Sequence, residues 1–274
     1  LQATGTGGTL ALGANDVSGA GVTLEGVGVT QSAGSTVDAG TEDILVNGGG
    51  STIDMAGALT TTSDAATATT VENASTVALP AITTGTSGTT TIGVGGDITG
   101  AVTQSPSTAI STRTLTGSTV GPVNLGSPNT NTIPTLGAFT SDGFTLNDGG
   151  SLSLTGVLAG GTGAVDLVSS ETIAENGGSI STTGTLQTSS AGGTTLGGSN
   201  AIAGFNADNS GGGISLTNAA TLQITGITQS GGGPVTVDNT GATTLTGAVS
   251  AGTGSVTLQA TGTGGTLALG ANDV

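Results

Sequence analysis

Between residues 211 and 258 the apolar positions fall in short alternating runs: Ile214-Ser-Leu216, Leu222-Gln-Ile224, Val235-Thr-Val237 and Val256-Thr-Leu258. Alternation of branched aliphatics with Thr or Ser is the pattern of a half-buried strand, and the glycine clusters between the runs mark turns. The leading residues Ile214, Val235 and Val256 follow one another at intervals of 21. A fixed interval near twenty, read as two strands per period, predicts a β-solenoid. Parallel stacking is expected, because like positions then meet at a constant step, whereas antiparallel pairing would demand two-residue hairpins. A corner glycine supplies positive φ without steric cost, and the Thr beside it favours the strand. No stretch carries a helical apolar stripe with caps, so helix is expected to be nearly absent.

The same texture covers most of the chain, with one change. Residues 1–59 read as solenoid coils, with Leu10-Ala-Leu12, Val22-Thr-Leu24, Val27-Gly-Val29, Ile44-Leu-Val46 and Ile53-Asp-Met55 as strand pieces. Residues 60–140 are irregular and Thr/Pro-rich, with Pro80, Pro106, Pro122, Pro128 and Pro134. Proline is confined to strand starts, edges and bulges, so this part reads either as coils with longer loops or as a lateral lobe. Residues 141–274 are regular coils again; Leu154 to Leu167 matches Leu245 to Leu258 almost position for position, implying a corner built twice. The piece Val-Thr-Gln-Ser at 29–32 returns at 102–105 and, as Ile-Thr-Gln-Ser, at 227–230.

A longer recurrence encloses these coils. Residues 1–17 and 258–274 are the same seventeen letters, a period of 257. The chain thus reads as one period, plus an overlap, of a tandem array, with no signal peptide or initiator Met of its own. At about 21 residues per coil (20–23 expected), one period makes about 12 coils and rises roughly 60 Å.

Composition narrows the function. The 274 residues include 54 Gly but no Cys, His, Trp or Tyr, and the net charge is −16 with a single cationic residue, Arg113. Periodic aliphatics argue against disorder despite the glycine content. Few aromatics mean a thin core, which a repeat fold tolerates because each coil is buried against the next. Nucleic acid and anionic membrane surfaces need cations that this chain lacks, and no apolar run is long enough to span a bilayer. Absent cysteine means only that no disulfide is used.

The recurring units GGxIxL, LTGxV and GTGxVxL, in a Gly/Thr/Ser/Asn-rich, Lys-poor and Cys-free setting, resemble filamentous-haemagglutinin-like proteins and autotransporter passenger domains. The resemblance implies a right-handed parallel β-helix, export to the bacterial cell surface, and adhesion or fibre formation there.

Candidate chemistry is sparse. Carboxylate neighbours that a glycosidase would need are Glu42 with Asp43, Asp142 with Asp148, and Glu171 with Glu175. Without His, Cys, Tyr or Lys there is little other acid–base equipment, and no catalytic, cofactor or metal residue is assigned. Structural calcium is conceivable at Asn147-Asp148-Gly149 and Asp142-Gly143, and Gly93-Val-Gly-Gly-Asp97 partly matches a calcium-binding nonapeptide, but turn chemistry explains these as well. Thr pairs at Thr4/Thr6, Thr67/Thr69 and Thr183/Thr185 are too scattered for an ice-binding array, and Asn73-Ala-Ser75 is the lone glycosylation sequon. The expected role is an extracellular structural filament, not an enzyme, whose partner is itself, end to end. The alternative is an adhesin that binds a protein or glycan through loops of 60–140, with a polysaccharide-acting enzyme as a distant third.

Overall fold

The computed structural model describes residues 1–3, 7–126, 130–272 and 274, and within them every strand pairing is parallel and no α-helix occurs. The chain is a β-solenoid of about 12 coils. The interval read from the sequence is the structural step itself: Ile214 lies beside Val235, and Val235 beside Val256. The chain divides into two compact units, Leu1–Ser141 and Asp142–Val274.

In the first unit each coil contributes to three columns of strands. One runs through Val22–Gly26, Ile44–Met55, Thr69–Leu79 and Thr89–Ile92, stacking Leu24, Val46, Val71 and Ile92. A second stacks Val29, Ile53, Val77, Val102 and Val123. The third is built from pieces of two or three residues and stacks Val37, Leu59, Ile82 and Ile110. All these aliphatics are buried, each worth about 1.5–3 kcal/mol in apolar area removed from water. Two strands per period is therefore too few for this unit, because strands as short as Val17–Ser18 are below the length at which alternation shows. The strands from Thr69 to Thr140 pair in these same columns.

In the second unit one column stacks Phe144, Val165, Leu186, Phe205, Ile224 and Leu245, and another Leu152, Ile173, Thr194, Ile214 and Val235. Steps between partners range from 18 (Asn200 to Asn218) in this unit to 28 (Ile82 to Ile110) in the first, wider than the 20–23 expected. The 25-residue step from Ile44 to Thr69 is taken up by a corner loop, where Asp43 accepts hydrogen bonds from Ser63 Oγ (2.6 Å) and Thr67 Oγ1 (2.5 Å). At the 19-residue step from Leu186 to Phe205, the strand Gly193–Asn209 turns from one column to the next without a loop.

The glycine clusters have a reason beyond backbone freedom. Gly212, Gly233 and Gly254 sit one coil apart, and only Gly212 of the three has a positive φ. A Cβ on Gly233 would lie 1.6 Å from Gly212 O, and one on Gly254 2.2 Å from Gly233 O. The recurrence records a corner where successive backbones touch. The duplicated corner is also real: Gly161 and Gly252 have φ +58° and +59°, and Gly163 N and Gly254 N close the same turn onto Gly160 O and Ala251 O. Five of the six prolines lie just outside strands, Pro80, Pro106, Pro122, Pro134 and Pro234, and Pro128 lies outside the described residues.

Candidate functional site

Several carboxylates sit at corners, where a side-chain oxygen reaches amides of the neighbouring coil. Asp142 Oδ1 accepts Thr162 N (2.8 Å), Thr162 Oγ1 (2.9 Å) and Gly163 N (3.1 Å). The Thr162 amide and hydroxyl hold its carboxyl below the ordinary range. Asp16 receives Thr36 N and Asp64 receives Ser87 N in the same way. Asp97 folds back onto Val94 N, so Gly93 to Asp97 is a turn closed by its own side chain.

The paired carboxylates of the sequence do not share partners. Asp142 faces outward, whereas Asp148 is turned into the core and accepts Gly150 N. Glu171 is held by Ser151 of the coil before it, and Glu175 by Gly198 N and Asn200 Nδ2 of the coil after it. In Glu42 and Asp43 the second carboxyl is engaged by Ser63 and Thr67, while Glu42 offers its backbone carbonyl to Thr61. Among the described residues no three acidic side chains converge as a metal site. Thr67 is exposed and Thr69 buried, so that pair does not share a face; Thr183 is exposed and Thr185 half-buried, and Thr4 and Thr6 lie outside the described residues. Asn73 of the sequon adopts φ +53° and donates to Asn47 Oδ1.

Hollows open on the surface of both units among the described residues. A trough of about 380 Å³ runs across coils of the second unit past Thr172, Gly193, Gly213 and Pro234, and is lined by uncharged residues. A polar hollow of about 420 Å³ lies beside Glu175, Ser179, Thr195 and Ser199. Burial pushes the Glu175 carboxyl above its ordinary 4.5, opposed by the bonds from Gly198 and Asn200, and its Oε1 is buried without a hydrogen-bond partner. In the first unit a cleft of about 260 Å³ is lined by Thr84, Thr86, Ser111, Thr132 and Arg113, the chain's single cationic side chain.

The residues that sequence reasoning missed point inward. Gln31, Gln104 and Gln229, the glutamines of the recurring Thr-Gln-Ser piece, are all buried. Gln31 Nε2 donates to Ser35 O, Gln104 Nε2 to Thr108 O, and Gln229 Oε1 accepts Gly233 N, each spanning four residues around a corner. Asparagines do the same between coils: Asn131, Asn200 and Asn218 accept the amides of Ile110, Ile180 and Ile202. A buried amide group that satisfies backbone at a bend replaces water there. The repetition of Thr-Gln-Ser was the available signal; its meaning needed the corner. No family model, no curated protein and no solved structure matches the chain.

Proposed function

We propose that this chain is a structural repeat of an extracellular, cell-surface filament in which β-solenoid repeats succeed one another end to end. The observation that carries the reading is the in-register stacking of like side chains from coil to coil within each unit, in a sequence that repeats itself after 257 residues. Side chains that line the surface hollows include few groups able to move a proton, and the acidic corners are engaged in holding neighbouring coils together. The reading assigns no enzyme activity and no cofactor. A charge of −16 keeps such fibres soluble and mutually repelling. Negative-stain images of the purified protein are expected to show thin unbranched fibres with an axial repeat of roughly 60 Å. Discrete monomeric rods under native conditions contradict the reading.

One observation favours a second reading, an adhesin. The Arg113 cleft lies within 60–140 and offers hydroxyls around a lone guanidinium, a chemistry suited to an acidic sugar or peptide carboxylate. Deleting 60–140 would remove coils, so the clean test is Arg113→Ala. Loss of cell attachment with unchanged thermal unfolding supports the adhesin; unchanged attachment removes it.

A further inference from the structure

The seventeen residues that occur twice are seen from two sides. In the copy at 1–17, Gln2 lies beside Glu25 and Leu10 beside Val29, both in the following coil. In the copy at 258–274, Gln259 lies beside Asp238 and Leu267 beside Thr243, both in the preceding coil. Gln2 and Gln259 are the same position of the repeat, as are Leu10 and Leu267. The two half-views join into continuous rows, Asp238–Gln259–Glu25 and Thr243–Leu267–Val29. The inward phase agrees across the joint, because Thr243 and Val29 are both buried.

The segment also folds alike in both places. Asn15 Nδ2 donates to Leu12 O at 2.9 Å, and Asn272 Nδ2 to Leu269 O at 3.2 Å. Gly13 and Gly270 have φ +60° and +65°, and Gly7 and Gly264 +76° and +84°. What differs is cover: Leu12 is 6% exposed beneath the coil that follows it, and Leu269 42%.

We infer that this segment is one shared coil, and that a second copy of the 257-residue unit sits on residues 258–274 in the register of Gln2 with Glu25. The solenoid then runs through the joint uninterrupted, with no cap. Leu267 N and Leu269 N donate to Gly28 O and Thr30 O of the next unit, as Leu10 N and Leu12 N do here at 2.9 Å each. The inference rests on the filament reading and specifies its partner and contact.

The test is amide hydrogen exchange on the full chain and on a two-unit chain, residues 1–274 followed by 18–274. Leu10 and Leu12 serve as reference, since their local sequence is identical. In the two-unit chain the amides of Leu267 and Leu269 are expected to slow on the order of 100-fold, to the rates of Leu10 and Leu12. A cysteine pair, Gln259→Cys in the first unit and Glu25→Cys in the second, is expected to oxidise to a disulfide, and Gln259→Cys with Thr23→Cys is not. Unchanged exchange at Leu267 and Leu269, or no preference between the cysteine pairs, overturns the shared coil. Fibres in images of the same sample would then leave the filament reading standing as a string of separate rods. A protected joint in a protein that makes no fibres would uphold the coil and remove the filament.

Discussion

Within the second unit, Asn218 Nδ2 donates to Asn239 Oδ1 at 3.0 Å, one coil stacked on the next with both side chains buried. Asn218 also binds both polar groups of Ile202, accepting its N–H at 2.8 Å and donating to its carbonyl at 3.2 Å. One side chain thus satisfies a corner of the coil before and holds the coil after. Asn218→Ala strands those groups in the interior and is expected to cost about 2–4 kcal/mol. Thr217→Ala, one residue away and exposed, is expected to stay within about 0.5 kcal/mol. Urea denaturation of both variants makes the comparison.

Two glycines separate close approach from simple flexibility. Gly233 meets Gly212 O, whereas nothing lies within 4 Å of a Cβ built on Gly197, and neither has a positive φ. Gly233→Ala is expected to lose about 3 kcal/mol or more through forced separation of coils. Gly197→Ala is expected to be neutral or to gain about 0.4–1 kcal/mol by restricting the unfolded chain. Equal effects at the two positions in thermal unfolding would contradict the stacking of these corners.

Threonines replace aliphatics in one core column. Thr69 and Thr90 are partners between Ile44 and Leu115, fully buried, and their Oγ1 atoms have no hydrogen-bond partner. Valine has nearly the same shape without the hydroxyl. Thr90→Val is expected to stabilise the first unit by about 1 kcal/mol, read as a higher denaturation midpoint at unchanged slope.

Much of this fold was legible in the letters. Ile214, Val235 and Val256 gave the coil step because each occupies the same place in successive coils. The third column was illegible, since Ala58–Thr60 and Ala81–Thr83 are too short to alternate. The inward amides were hidden for a different reason. Polar residues at strand ends read as solvent-facing, and only the bend of the backbone shows that Gln229 serves Gly233 from within. The carboxylates were visible as candidates, but adjacency in sequence says nothing of which coil each one reaches, as Glu171 and Glu175 show.

Glu175 sets a pH dependence. Its carboxyl is raised above 4.5 mainly by burial, so the folded chain binds more protons than the unfolded chain in the window from 4.5 up to the folded value. Stability from this group therefore falls as pH rises through that window. Glu175→Gln keeps an oxygen for Gly198 N and removes the charge. It is expected to raise stability at pH 7 by less than about 1 kcal/mol, since the group is partly solvated, and to make no difference below about pH 4. Melting temperatures across pH 3–8 check the sign.

The most direct test of parallel stacking at a 21-residue step is a pair of spin labels on the outer face of neighbouring coils. Ser215, Thr236 and Thr257 lie in one row, each beside the next. Labels on Ser215→Cys with Thr236→Cys, and on Thr236→Cys with Thr257→Cys, are predicted to show strong dipolar broadening from side chains about 5 Å apart at the backbone. Labels on Ser215→Cys with Thr257→Cys, two coils apart, are predicted to broaden much less. Equal broadening for all three pairs, or none for the neighbours, would contradict coils laid one upon another.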